Sequence, residues 1–292
     1  MTAKPITILG SVNDSALLGE VFAQHAPQIV FHAAAYKHVA LLESHPLAAI
    51  QNNALGTQSL IECARNHGPV RIILLSTDKA VAPISILGAS KRIAELVTLA
   101  NGGTVLRLCN VLGTEGSVVE TFRHQIAAGG PVTIAHPDAE RYFITCTEAV
   151  DLLLTCSVEA RLGALFVAAV QRPHRVQALA EFLISHDSNA ASLPIKCSGL
   201  RTGDKLREDL WSANEQPGTA NAQGLVELRY PQMLLPDCVE KIAHLHSATN
   251  NRDLPRALEI LQQLVPDYTP STTVLALARQ NQTQQVCLSD PS

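Results

Sequence analysis

Apolar positions along the chain follow two periods. Short runs rich in Ile, Val and Leu fall at Ile6–Leu9, Ile29–Ala34, Arg71–Ser76 and Thr104–Asn110 and mostly lack alternation with polar residues. Such runs suit strands buried on both faces. Between them the spacing is helical. Ser15–His25 opens on a serine N-cap candidate, Pro46–Asn66 has proline in its first turn, and Ala89–Leu99 sets Ile93, Leu96 and Val97 on one face. Strands alternating with helices predict βαβ units and an α/β, doubly wound Rossmann-type parallel sheet.

Beyond residue 130 the segments shorten. Helices are expected at Thr147–Ser157, Val176–Ser185, Pro236–His246 and Leu254–Leu264, with a loop at the Asn-, Gln- and Gly-rich stretch Ser212–Gly224. The polar run after about Ser271 reads as a frayed tail. These shifts divide the chain into a first domain over 1–130, a smaller C-terminal lobe over 131–271 and a flexible tail over 272–292.

Composition then excludes several classes. With 292 residues, 47% hydrophobic and 16% charged, the chain fills a sizeable core and is not disordered. A net charge of -4 offers no basic surface for nucleic acid. Seven scattered cysteines with no CxxC pair predict reduced thiols in a cytoplasmic protein. Met1–Ser11 lacks a secretory pattern, and no apolar run reaches the roughly 18 residues of a membrane span. His244 and His246, two apart on an expected helix, face different ways and predict no metal site.

In a doubly wound sheet the chemistry belongs beyond the carboxyl ends of the strands. There the sequence turns polar, in "HAAAYKHV", "STDKA", "RLCNVLG" and the later "HPDAERYF". Each could be a solvated loop, but four such segments at one edge point to a site.

These segments, with "NNALGTQSL", "GASKRIAEL", "GLRTGDKLREDL" and "LVPDYTPS", resemble the polysaccharide-biosynthesis family of extended short-chain dehydrogenase/reductases. Its members include nucleotide-sugar 4,6-dehydratases and epimerases acting on UDP-N-acetylglucosamine. The resemblance implies NAD or NADP as cofactor, a UDP-sugar as substrate and a homo-oligomeric assembly. It implies oxidation of the sugar at C4, loss of the C5 proton and the C6 hydroxyl as water, and return of the hydride to C6.

The resemblance carries over residue by residue. Asp78 matches the acid that protonates the departing hydroxyl, Lys79 the base for the C5 proton, and Thr77 a hydrogen bond to the sugar. Lys91 matches the lysine that holds the nicotinamide ribose. Ala33, Ala34, Ser76, Asn53 and Ser11 complete the implied cofactor contacts, Asn53 as a buried asparagine that orients the site. Lys37, His38 and Asn110 match positions near the sugar or its phosphates. Arg141 and Arg201 match contacts to the diphosphate, whose oxygens suit forked guanidinium donors.

Three departures accompany these matches. No GxGxxG or GxxGxxG turn occurs anywhere, so the expectation is a sheet lacking its first strands, with one strand edge exposed for pairing. Ser11 stands where the family has an aspartate for the adenine amino group. Leu87, four before Lys91, stands where short members have tyrosine and many long, membrane-linked members have methionine. The leading expectation is a UDP-N-acetylglucosamine-type 4,6-dehydratase. The alternatives are a UDP-sugar 4-epimerase and a non-catalytic remnant that binds a UDP-sugar without NAD(P).

Overall fold

The computed structural model describes residues 4–159, 161–170, 172–187, 193–230 and 235–289. The chain begins with α1 (Ser15–His25), β1 (Ile29–His32), α2 (Val39–Glu43) and α3 (Pro46–Ala49), which runs through a π-helical turn at Ile50–Leu55 into α4 (Gly56–Asn66). There follow β2 (Arg71–Thr77), α5 (Ile86–Ala100), β3 (Thr104–Leu108), α6 (Val118–Ala127), α7 (Cys146–Glu159), β4 (Leu165–Ala168) and α8 (Val176–Ser185). The remainder is β5 (Gln216–Pro217), β6 (Leu225–Arg229), α9 (Leu235–Asn250), α10 (Leu254–Leu264) and α11 (Thr272–Ser289).

The main sheet has the order β1-β2-β3-β4-β6-β5. Its first four strands pair in parallel, and β6 pairs antiparallel with both β4 and β5. In register, His32 sits opposite Leu74 and Thr77 opposite Leu108, so β2 and β3 reach furthest toward the carboxyl edge. Apolar side chains pack both faces. On one, Ile50, Leu55 and Ile86 join Leu261 and Val274; on the other, Leu74, Val105 and Leu165 meet Leu152 and Cys156. Helices thus cover both faces of a doubly wound α/β sheet, and continuous apolar strands follow from that burial. A smaller, separate cluster packs Phe122 and Ile126 of α6 against Val132, Ile134, Ala180 and Ile184.

Several details differ from the sequence pattern. Ile6–Leu9 is not a strand, and Ile6 and Leu9 are 71% and 99% exposed. An apolar run becomes a strand only where a ladder takes up its backbone groups, and among the described residues β1 pairs with β2 alone. The outer edge of β1 is accordingly open, with Ile29 and Phe31 exposed. Asp14, not Ser15, caps α1, accepting from the Leu17 amide at 3.0 Å. The stretch expected as a flexible tail forms α11, because Val274 and Ala278 bury against the core; residues 290–292 lie outside the described residues.

Candidate active site

Adjacent residues in a strand point to opposite faces, so Asp78 and Lys79 meet only because β2 ends where they begin. Thr77 keeps extended backbone, and the next three residues wind into a single 3-10 turn over Asp78–Ala80. The Thr77 hydroxyl accepts from the Lys79 amide at 3.4 Å and donates to Asp78 Oδ1 at 3.0 Å. Lys79 Nζ donates to the same Oδ1 at 2.9 Å. The pair lies at the carboxyl edge of the sheet with the Asp78 side chain 1% exposed and that of Lys79 20%.

A third charge completes the group. Glu208 Oε1 lies 3.7 Å from Lys79 Nζ, and Lys205 Nζ lies 3.6 Å from the other Glu208 oxygen. Asp78 Oδ2 and Glu208 Oε2 are both buried without a hydrogen-bond partner among the described residues. Burial alone would lower the Lys79 pKa, but Asp78 and Glu208 outweigh it and hold the amine above its ordinary range. Burial, and then the neighbouring Asp78 charge, raise Glu208 against the pull of Lys79. The Cys109 thiol, at the end of β3, is pushed up to about 12 by burial and then by Asp78.

The start of α5 packs tightly on this turn. Ser85 caps the helix through the Gly88 amide at 3.1 Å, and a Cβ on Gly88 would come within 2.1 Å of the Lys79 carbonyl oxygen. Glycine is required there for the close approach. Leu87 turns into the apolar core, so no hydroxyl stands beside Lys91 from that position. Lys91 donates to the Leu75 carbonyl at 2.6 Å, and burial lowers it to about 8 against the opposing charge of Glu95. Ser76, expected at the cofactor, instead donates to Glu95 Oε1 at 2.6 Å.

The π turn aims Asn53 at the loop after β1. Its Oδ1 accepts from the Tyr36 amide at 2.8 Å, and its Nδ2 donates to the Tyr36 carbonyl at 3.1 Å and to Ser90 Oγ at 3.3 Å. Behind it, Thr57 donates to the Asn53 carbonyl at 2.7 Å, so His32 Nε2 carries the proton of its 2.9 Å contact to Thr57. Burial, and then Lys91, hold His32 neutral with a pKa of about 4.

Around this centre the rim residues have assorted positions. Lys37 donates to the Glu115 carbonyl, and His38 lies near Gly116 on the same loop. Asn110 donates to the Tyr142 carbonyl at 3.1 Å. Arg141 donates to the carbonyls of Glu140, Leu206 and Lys205 at 2.7, 3.1 and 2.8 Å, clamping the segment that carries Glu208. Arg201 is exposed, and Ser11 lies in an exposed turn, accepting from the Asn13 amide at 3.2 Å.

Ala33 and Ala34, directly after β1, are exposed, and Lys91 is buried at the Leu75 carbonyl. For a dinucleotide pyrophosphate, the described residues form no glycine-rich strand-to-helix turn. Glu208 is a site residue that strand-end reading overlooks, since it lies in a loop far along the chain. Its one signal is the spacing of Lys205 and Glu208 beside Arg201.

Residues 1–229 match the polysaccharide biosynthesis protein family. The chain belongs to this family. It is 40% identical over 218 residues to the capsular polysaccharide biosynthesis protein CapD of Staphylococcus aureus, covering 72% of this chain and 36% of CapD. It is 35% identical over 216 residues to the UDP-glucose 4-epimerase of Rickettsia rickettsii, covering 71% of this chain and 62% of that enzyme. The chain thus spans little over a third of CapD. Among solved structures, Pen from Bacillus thuringiensis superposes with a TM-score of 0.72 at 24% identity, covering 78% of this chain and 72% of that one. That likeness concerns the fold.

Proposed function

We propose that the chain carries the acid–base centre of a nucleotide-sugar 4,6-dehydratase, acting on a UDP-N-acetylglucosamine-type substrate in surface-polysaccharide synthesis. The observation that carries this reading is the buried Asp78–Lys79 contact of 2.9 Å at the end of β2, where a doubly wound sheet presents its ligand. When bound, NAD(P) would supply the oxidation at C4 that makes the C5 proton acidic; Lys91, Ala33 and Ala34 would hold its nicotinamide end.

The chain's own residues then do the elimination. The neutral Lys79 amine takes the C5 proton, the C5–H electrons form the C5–C6 double bond, and the C6–O bond breaks as Asp78 delivers its proton to the leaving oxygen. Water departs, and the centre is left as an ammonium and a carboxylate, the pair seen in the structure. The Lys79 ammonium returns its proton to C5 as the 4-keto-6-deoxy product forms, and the proton released from the C4 hydroxyl restores the acid form of Asp78. Thr77, which donates to Asp78, would orient the sugar. Arg201 and the unused N–H groups of Arg141 would meet the diphosphate, with Lys37, His38 and Asn110 nearer the sugar.

A second reading, UDP-sugar 4-epimerase, is favoured by the 35% identity to the Rickettsia enzyme. Incubation of the purified chain with NAD or NADP and UDP-N-acetylglucosamine separates the readings. A 4-keto-6-deoxy product supports the dehydratase, and a C4 epimer supports the alternative. UDP binding with neither product identifies a binding protein and removes the catalytic proposal.

A further inference from the structure

We propose that Glu208 is a positioning residue for the Asp78–Lys79 pair, gripping the Lys79 amine as a second carboxylate and fixing the pH range in which that amine is a base. The proposal rests on the roles given above to Asp78 and Lys79. Three observations carry it.

First, Glu208 is built in, not incidental. Its side chain is 2% exposed, and the backbone that carries it is pinned on several sides. Glu140 donates its amide to the Leu206 carbonyl at 2.9 Å, Arg141 holds the carbonyls of Lys205 and Leu206, and Lys205 Nζ reaches the Val81 carbonyl at 2.6 Å. Second, the buried Oε2 has no hydrogen-bond partner among the described residues and only the Lys205 amine, at 3.6 Å, nearby. A carboxylate kept only to brace the fold would have its oxygens saturated. Third, the charges facing Lys79 come from separate elements. Asp78 shares its turn, Glu208 comes from the pinned segment and Arg141 from the strand at Glu140–Arg141, while the neutral Cys109 thiol lies at the end of β3. Lys205 faces the far oxygen of Glu208.

The consequence is electrostatic. A carboxylate at 3.7 Å favours the ammonium form of Lys79 and opposes the free amine. Glu208 therefore stabilises the product of C5 deprotonation while restricting the amine to higher pH. Its removal should free the amine at lower pH.

The test reads the amine itself in the full-length chain, without nucleotide. Lysines are labelled competitively with acetic anhydride between pH 8 and 12, and Lys79 is followed by peptide mass spectrometry. Glu208→Gln is expected to move the Lys79 midpoint down by about one pH unit, a roughly tenfold gain in labelling below the midpoint. Glu208→Asp, which keeps the charge, should restore most of the wild-type midpoint. Lys205→Gln removes the competing cation and should shift the midpoint upward, and it supplies the test should Glu208→Gln fail to fold. A midpoint that stays put in whichever of these two glutamine variants folds overturns the proposal. Because no catalysis is read, absence of a keto product would sink the proposed function and leave this result standing.

Discussion

Two buried charge clusters lie within the same fold and differ in one respect. In the first, Arg107 of β3 donates to Glu95 Oε1 and Oε2 at 2.8 and 2.7 Å and to Glu215 Oε1 and Oε2 at 2.8 and 2.7 Å. Arg92, Ser76 and the Ser212 amide occupy the remaining carboxylate positions. In the second, Asp78, Lys79 and Glu208 share their charges while two carboxylate oxygens accept no hydrogen bond among the described residues. The protonation tendencies diverge accordingly. Burial would raise Glu95, yet Arg107 overrides it and holds the carboxyl down at about 2, whereas Glu208 is raised. A saturated cluster ties β3 and α5 to the segment before β5. An unsaturated one leaves polar capacity for a ligand.

The sharpest way to break this comparison is to remove Arg107. Arg107→Met leaves Glu95 and Glu215 buried with only the part-exposed Arg92 as counter-charge, and a loss of about 3–5 kcal/mol in urea denaturation is expected. A near-neutral result would mean that the saturated cluster does not hold the fold.

Lys91 should give the opposite sign. Its folded pKa of about 8 lies below its ordinary 10.5, so the folded chain binds fewer protons than the unfolded chain between those values. Wild-type stability therefore rises with pH through that window. Lys91→Met is expected to gain on the order of 3 kcal/mol at pH 7, and the gain should vanish as pH approaches 10.5. A flat difference across that range would contradict the burial of a charged Lys91.

Glu208→Gln should cost about 1 kcal/mol or less, because its Oε2 has no hydrogen bond to lose among the described residues. A cost matching that of Arg107→Met would erase the distinction between the clusters. At acid pH a swing of about 3 kcal/mol is expected, like that of Lys91. His32 falls from 6.5 to about 4 on folding, so stability contributed by neutral His32 is lost as pH drops from about 6.5 toward 4. Glu95, held at about 2, yields only below its ordinary 4.5. His32→Gln should flatten the first window in pH-dependent thermal melts and leave the second.

Local spacing made the helices and inner strands legible. Val176–Ser185 and Leu254–Leu264 form over the expected residues, and β2 ends within one residue of its expected limit. Ile6–Leu9 was misread because its pattern carries no information about a neighbouring strand. At the site, "STDKAV" pointed to Asp78 and Lys79, since chemistry at a strand end is local. Glu208 was not legible, because its contact with Lys79 spans more than a hundred residues and depends on Arg141 clamping the intervening loop. Arg107 in the apolar run "TVLRLCN" was a signal that sequence reading passed over, an unpaired charge at a position that must be buried.

The central claim, that Asp78 and Lys79 form an elimination centre, has a test that bypasses the cofactor. The chain is given a UDP-4-keto-hexosamine in deuterated water, and proton exchange or elimination at C5 is followed by NMR. The account predicts C5 deuterium incorporation or loss of water, abolished in Lys79→Met and with elimination suppressed in Asp78→Asn. Binding of the keto-sugar with C5 exchange no faster than in Lys79→Met would contradict it.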